Sequence, residues 1–324
     1  MSVIAILVVL CLASAALAAA PDWAKADLKI GIIGTDTSHV PNFTDELAAH
    51  PEWRMKVTAA YKGGSARMAL SRDRVEKFAA EIHDRHKVEI VADIPALLAQ
   101  VDAVMLESVD GSQHLDQARP VLNAGKRLFI DKPLTANLAD ARELARLATK
   151  TGTPFFSSSC TRFQPQIGKF RTDAGVGKVA KVQASGPLHI IPETPDLFWY
   201  GVHGVEALYT VMGPGCVSLS RKVDGNLDIT TGRWKDGRIG IFRGVKEGDY
   251  KPLVTVWGER GEAATTEDFD YHGLVAVMAE FFQTGRAPID QAETLEIVEF
   301  MTAAKLSLDR GGAEVKLAEL KAGG

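Results

Sequence analysis

The chain has 324 residues, 46% hydrophobic and 24% charged, which is enough apolar surface for a sizeable core and enough length for two domains. That composition excludes a disordered, collagenous or low-complexity protein. A net charge of -4 without a basic stripe excludes a nucleic-acid partner, because phosphate contacts need clustered Lys and Arg.

Residues 1–20 begin with an unbroken apolar run, Val3 to Leu10, and continue into Ala-rich sequence with small residues at A-x-A spacing. This is the shape of a secretory signal, although no Lys or Arg precedes the apolar run. It predicts an exported, periplasmic or extracellular protein with no stable membrane association; the same segment left uncleaved would anchor the chain. No Arg-Arg pair marks a folded export route, so transport would be in the unfolded state. Cys160 and Cys216 remain beyond this segment, with no C-x-x-C spacing, which predicts no structural metal site and leaves open whether the two pair.

From residue 28 onward, short apolar runs alternate with amphipathic stretches. Strands are expected at 28–34, 55–61, 88–92, 102–108 and 127–133, with helices at 42–50, 74–86, 94–100, 114–125 and 137–152. Continuous apolar strands separated by helices argue βαβ units and a doubly wound parallel sheet, a Rossmann domain over 27–150 with its ligand edge at the carboxyl ends of the strands. Residues 151–324 change texture. Alternating runs at 178–191, 216–225, 227–234, 238–244 and 253–259 predict an open-faced mixed, largely antiparallel sheet, joined by helices at 202–213, 271–285 and 293–311. The fold class is therefore α/β, a Rossmann domain followed by a substrate and oligomerisation domain.

Several residues fall on the predicted ligand edge. In the first βα turn, Gly34 keeps the tight turn of a G-x-G-x-x-G loop, but Asp36 and His39 stand at its second and third Gly positions. A carboxylate there repels a diphosphate unless it points away or is protonated. Thr35, Asp36, Thr37, Ser38 and His39 are thus either a modified phosphate loop or, for Asp36, Thr37 and Ser38, the N-cap of the following helix. After the second strand, Lys62, Ser65 and Arg67 suit a 2′-phosphate better than a free ribose diol, the alternative being solvated loop residues. Ser108, Val109, Asp110 and His114 follow the fourth strand, and Asp131, Lys132 and Pro133 end the fifth. A Lys held before Pro can bind an oxyanion or lower the pKa of a substrate hydroxyl. His83 and His86 have helical spacing but lie in a charged run, which reads as a solvated face. Trp199 and Tyr200 offer either a sugar-stacking platform or core packing, and Tyr271 and His272 start a helix that could face the cleft.

The segments 127–155, 108–126 and 202–213 resemble the Gfo/Idh/MocA oxidoreductases, over nearly the whole chain from Leu28. Residues 131–133 look like the family's E-K-P strand end, with Asp131 for Glu, and 108–114 like its strand-loop-His segment, placing His114 near the nicotinamide. Residues 202–213 look like the family's catalytic helix; His203 matches its His, Trp199 stands where an Asp is usual, and Glu206 matches an acid one turn later. The resemblance implies NADP or NAD as cofactor and hydride transfer between nicotinamide and a hydroxyl-bearing carbon of a sugar-like or cyclitol substrate. Lys132 and His203 would assist the proton and Glu206 would partly replace the missing acid. It also implies a homo-oligomer built on the open sheet face. A rival reading is a degenerate member that binds a ligand in the same cleft without hydride transfer, suggested by the altered loop, the missing Asp and export in the unfolded state.

Overall fold

The structure, a computed structural model, describes residues 19–248, 253–266 and 270–322; the expected signal segment lies almost wholly outside them. Strands β1 (Leu28–Ile33), β2 (Met55–Tyr61), β3 (Glu89–Val91), β4 (Ala103–Leu106), β5 (Arg127–Asp131) and β6 (Phe155–Ser158) form one sheet in the order β3-β2-β1-β4-β5-β6. Every pair in it is parallel. Its strands read as unbroken apolar runs because both faces are covered. Helices α1 (His39–Ala49), α2 (Ala69–His86), α3 (Ile94–Leu98), α4 (His114–Asn123) and α5 (Leu138–Thr151) make the crossovers. Strand β6, four residues rich in Ser, extends the sheet beyond the five strands legible in the sequence.

A short helix, α6 (Pro165–Thr172), leads to the second sheet. It contains β7 (Val179–Pro187), β8 (Cys216–Asp224), β9 (Leu227–Trp234), β10 (Ile239–Val245), β11 (Leu253–Gly258), β12 (Gly261–Thr266) and β13 (Val315–Lys316), ordered β12-β11-β7-β10-β9-β8-β13. Only the β7–β10 pair is parallel, giving the mixed, largely antiparallel sheet expected. Helix α7 (Gly201–Met212) lies on β7 and β10. Gly204 allows that close approach, since a Cβ there would meet the Phe242 ring at 2.4 Å. Helix α8 (His272–Thr284) returns to the first sheet and buries Val275, Met278 and Phe282 with Phe43, Phe129 and Phe156. Helix α9 (Gln291–Asp309), capped by Asp290, carries Ile297 and Phe300 into an apolar cluster that runs from Leu144 to Phe242 and joins the two domains. Cys160 and Cys216 are buried free thiols. No helix among the described residues is long and apolar enough to cross a membrane.

The second domain also buries a full ion triad. Arg221, wholly enclosed, donates to Asp196 at 2.7 and 2.8 Å and to Asp228 at 2.6 and 2.7 Å. The triad holds Asp196 at a left-handed φ of 39° at the start of the short turn, Asp196–Phe198, that leads into α7. Replacing Arg221 by Met strands two buried carboxylates, a change expected to destabilise by about 3–5 kcal/mol; a fall in the urea unfolding midpoint at unchanged slope measures it.

Candidate active site

The carboxyl ends of β1, β4 and β5 bring three acids together. Gly34 turns the chain at φ +88°, and a Cβ there would lie 2.3 Å from Ser108 Oγ, so no larger residue fits. Asp36 is fully buried and its carboxylate faces the Ser71 hydroxyl at 2.6 Å and the Val109 N–H at 2.9 Å. Burial raises its pKa, against those two hydrogen bonds. The N-cap reading of this acid is therefore corrected: Ser38 holds the cap position of α1 and makes no side-chain cap bond. Glu107, the residue after β4, is fully enclosed, and neither carboxyl oxygen has a hydrogen-bond partner among the described residues. Burial, reinforced by the charges of Asp131 and Asp36, pushes its pKa well above the ordinary glutamate value, so it is held protonated. Asp131, in contrast, is ionised. Burial pushes it upward, but His39 Nδ1 at 2.7 Å and the Lys132 N–H at 2.8 Å outweigh that and leave its pKa lowered.

His114 is enclosed between the loops that follow β4 and β5. Its ring is fully buried, with Nε2 2.7 Å from the Ser108 carbonyl and Nδ1 3.0 Å from that of Pro133. It ties the loops after β4 and β5 together and positions Lys132, whose peptide bond to Pro133 is cis. The cations read as a 2′-phosphate site are already engaged. Lys62 Nζ donates to Glu76 at 2.9 Å, while Arg67 binds Asp110 in a fork at 2.8 and 2.9 Å, joined by the Ser65 hydroxyl at 2.6 Å. Burial opposes ionisation of Asp110, but Arg67, Ser65 and Ser112 bring its pKa down to about 2. Because β2 and β4 flank β1, this bridge passes from the β2 loop to the β4 loop across the end of β1.

The second domain supplies the other wall. His203, in the first turn of α7, has Nδ1 2.7 Å from Ser159 Oγ. Burial, then the charges of Lys132 and His39, lower its pKa well below the ordinary imidazole value, so it is a neutral base at pH 7. Glu206 does not support it. That carboxylate lies 2.7 Å from Arg162 Nε, in a buried network that continues from Arg162 to Glu293 at 2.6 Å, and burial raises its pKa in spite of Arg162. Ser159, not singled out from the sequence, takes the place of the absent Asp as the partner of His203; a Ser directly after a strand end was the only signal. Lys132 Nζ stands 5.8 and 6.0 Å from the ring centres of Trp199 and Tyr200. Those two residues also line a cavity of about 410 Å³, with Met68, Arg74, His189 and Glu193. A second cavity, about 420 Å³, lies at the amino ends of β1 and β2 and is remote from these groups. His83 Nδ1 lies 3.0 Å from the Val88 carbonyl and His86 Nε2 lies 2.6 Å from Asp45.

Comparison with known proteins bears on the family of the first domain and on the fold. Residues 28–158 match the model of the Gfo/Idh/MocA oxidoreductase family, NAD-binding Rossmann fold. Dehydrogenase aclE of Aspergillus oryzae is 27% identical over 182 residues, 53% of this chain and 45% of that protein. An oxidoreductase from Agrobacterium radiobacter in complex with NAD+, L-tartaric acid and magnesium superposes with a TM-score of 0.73 at 14% identity, covering 91% of this chain and 99% of the other. Scyllo-inositol dehydrogenase from Lactobacillus casei, with NAD(H) and scyllo-inositol bound, does so with a TM-score of 0.70 at 13% identity, over 90% and 99%. At these identities the structures establish a shared fold. The chain covers less than half the length of the curated relatives it matches.

Glu107 makes stability depend on pH in a definite direction. It stays protonated in the folded state, whereas the unfolded chain ionises it above about pH 4.3, so its contribution to stability declines as pH rises from there toward its folded pKa. Glu107→Gln is therefore expected to melt higher than the parent at pH 7.5 and nearly level with it at pH near 4.5, read by calorimetry at the two pH values.

Proposed function

We propose that this chain, whose Rossmann domain belongs to the Gfo/Idh/MocA oxidoreductases, is an NAD-dependent dehydrogenase that oxidises a hydroxyl-bearing carbon of a cyclitol or related polyol. The observation that carries the reading is the convergence of a neutral His203 and the Lys132 ammonium at the carboxyl edge of the parallel sheet, the edge at which open α/β sheets bind their ligands.

The residues present fit a dinucleotide. Asp36 is turned onto Ser71 and Val109, which meets the condition for an acid in the phosphate loop, and Glu107 carries no charge. The turn from Gly34 to Ser38 and the N-terminus of α1 would hold the diphosphate. Ser108 Oγ, buried without a hydrogen-bond partner among the described residues, is a free donor at the same edge. NAD is favoured over NADP because Lys62, Ser65 and Arg67 are bound to Glu76 and Asp110 and are not free for a 2′-phosphate. A bound nicotinamide supplies the hydride acceptor.

The chain's own groups manage the proton. The Thr161 hydroxyl lies 3.0 Å from both the His203 carbonyl and Ser159 Oγ; with Thr161 donating to the carbonyl and Ser159 donating its own hydroxyl hydrogen to Thr161 Oγ1, Ser159 Oγ accepts the His203 Nδ1–H and the Thr161 N–H. That assignment puts the imidazole lone pair on Nε2, which takes the proton of the substrate hydroxyl. Lys132 stabilises the developing oxyanion, and the Asp131–His39 pair keeps the adjoining charge balanced. Trp199 and Tyr200 offer flat apolar faces to the C–H side of a ring-shaped polyol. The similarity to scyllo-inositol dehydrogenase supports a cyclitol among polyols.

An assay of NADH formation with a panel of cyclitols and sugars tests the reading. His203→Ala is expected to lose about 10²–10⁴-fold in kcat with its fold intact, as removal of a general base does; turnover equal to the parent's in this variant excludes the assigned role.

A further inference from the structure

Away from this cleft, the end of α1 and the start of α8 hold a group of side chains that the dehydrogenase reading does not use. Glu46 lies in the last turn of α1 and His50 is the residue that ends the helix, and their side chains meet there. His272, the first residue of α8, is brought to them because α8 packs its apolar side onto the same layer as α1. Glu46 Oε1 lies 2.6 Å from His272 Nδ1 and 3.1 Å from His50 Nε2, and the ligand atoms of all three residues fall within 4.8 Å of one another.

We propose that Glu46, His50 and His272 bind one divalent ion of the zinc class and clamp α8 to α1. Two imidazole nitrogens and one carboxylate oxygen are a donor set that suits zinc and its neighbours better than calcium or magnesium. Ligands about 2.1 Å from a tetrahedral ion lie about 3.4 Å from each other. The 3.1 Å pair is within a few tenths of an ångström of that spacing, and the 2.6 Å pair must open by less than an ångström. The Glu46 and His272 side chains can make that movement, since the latter is 57% exposed and the former 25%. His50 is prepared as a ligand from behind: its Nδ1 is held by Glu52 at 2.8 Å and its ring stacks on Trp53 at 4.1 Å, so Nε2 is aimed at the site. The remaining coordination positions face solvent.

The position gives the ion a structural consequence for the cleft. Tyr271, next to His272, packs its ring 5.1 Å from that of His39 and 5.4 Å from that of Phe43. Fixing His272 therefore fixes Tyr271 against the imidazole that pairs with Asp131. The ion acts as a clamp and touches no reacting atom.

Calorimetric titration of ZnCl2 into the untagged, chelator-stripped full chain tests this, with thermal unfolding as the second readout. One equivalent is expected to bind at micromolar concentration or tighter and to raise the melting temperature by several degrees. His272→Ala, a change at an exposed side chain that leaves the fold intact by circular dichroism, is expected to abolish both, and Glu46→Gln to weaken uptake at least about tenfold. His83→Ala, outside the cluster, is expected to bind as the parent does. No uptake of zinc by the parent, or uptake that persists undiminished in His272→Ala, overturns the proposal.

Discussion

Three carboxyl groups stand on the ends of three adjacent strands, and buried space of low polarity will not hold three neighbouring negative charges. The molecule handles each in a different way. Asp131 keeps its charge by pairing with His39, Asp36 shares its carboxyl with a hydroxyl and a backbone N–H, and Glu107, given no partner, keeps its proton. Much of the cleft follows from this division. His39 can stand where a phosphate loop would carry Gly because its imidazole is needed beside Asp131, and Lys132 is left with its ammonium free because the acid next to it is already balanced.

The second domain completes the site by close packing. Gly204 lets α7 settle onto Phe242, and the Arg221 triad fixes the chain just before that helix; His203 is thereby carried to the edge of the first sheet. There its pKa is set chiefly by burial and secondarily by Lys132, a residue of the other domain. Groups from both sheets thus act in the same direction on this one imidazole, lowering its pKa further below the ordinary value.

Much of this architecture could be read from residue patterns. Apolar runs located five of the six parallel strands, and alternation located the main strands of the second sheet. The sixth, Phe155–Ser158, escaped because four residues with two apolar and two Ser side chains carry no period. Helix α2 starts before the expected residue 74 because no side-chain cap marks Met68. For the site, the D-K-P strand end and the His of α7 were legible as a resemblance. Their partners were not. His39 meets Asp131 across 92 residues, Ser159 meets His203 across 44, and Arg162 draws Glu206 away across 44. Such pairings depend on how helices pack, and local spacing says nothing about them. Lys62 and Arg67 show the converse error, since residues of the right charge for a phosphate had acids of their own in reach.

The most direct measurement is a titration of NAD and NADP into the full chain followed by Trp fluorescence, with Trp199 beside Lys132 as the reporter nearest the site. The account predicts saturation by NAD below about millimolar concentration, with NADP about tenfold weaker or more because its 2′-phosphate finds no free cation. An absence of saturation by NAD, or a preference for NADP, would contradict it.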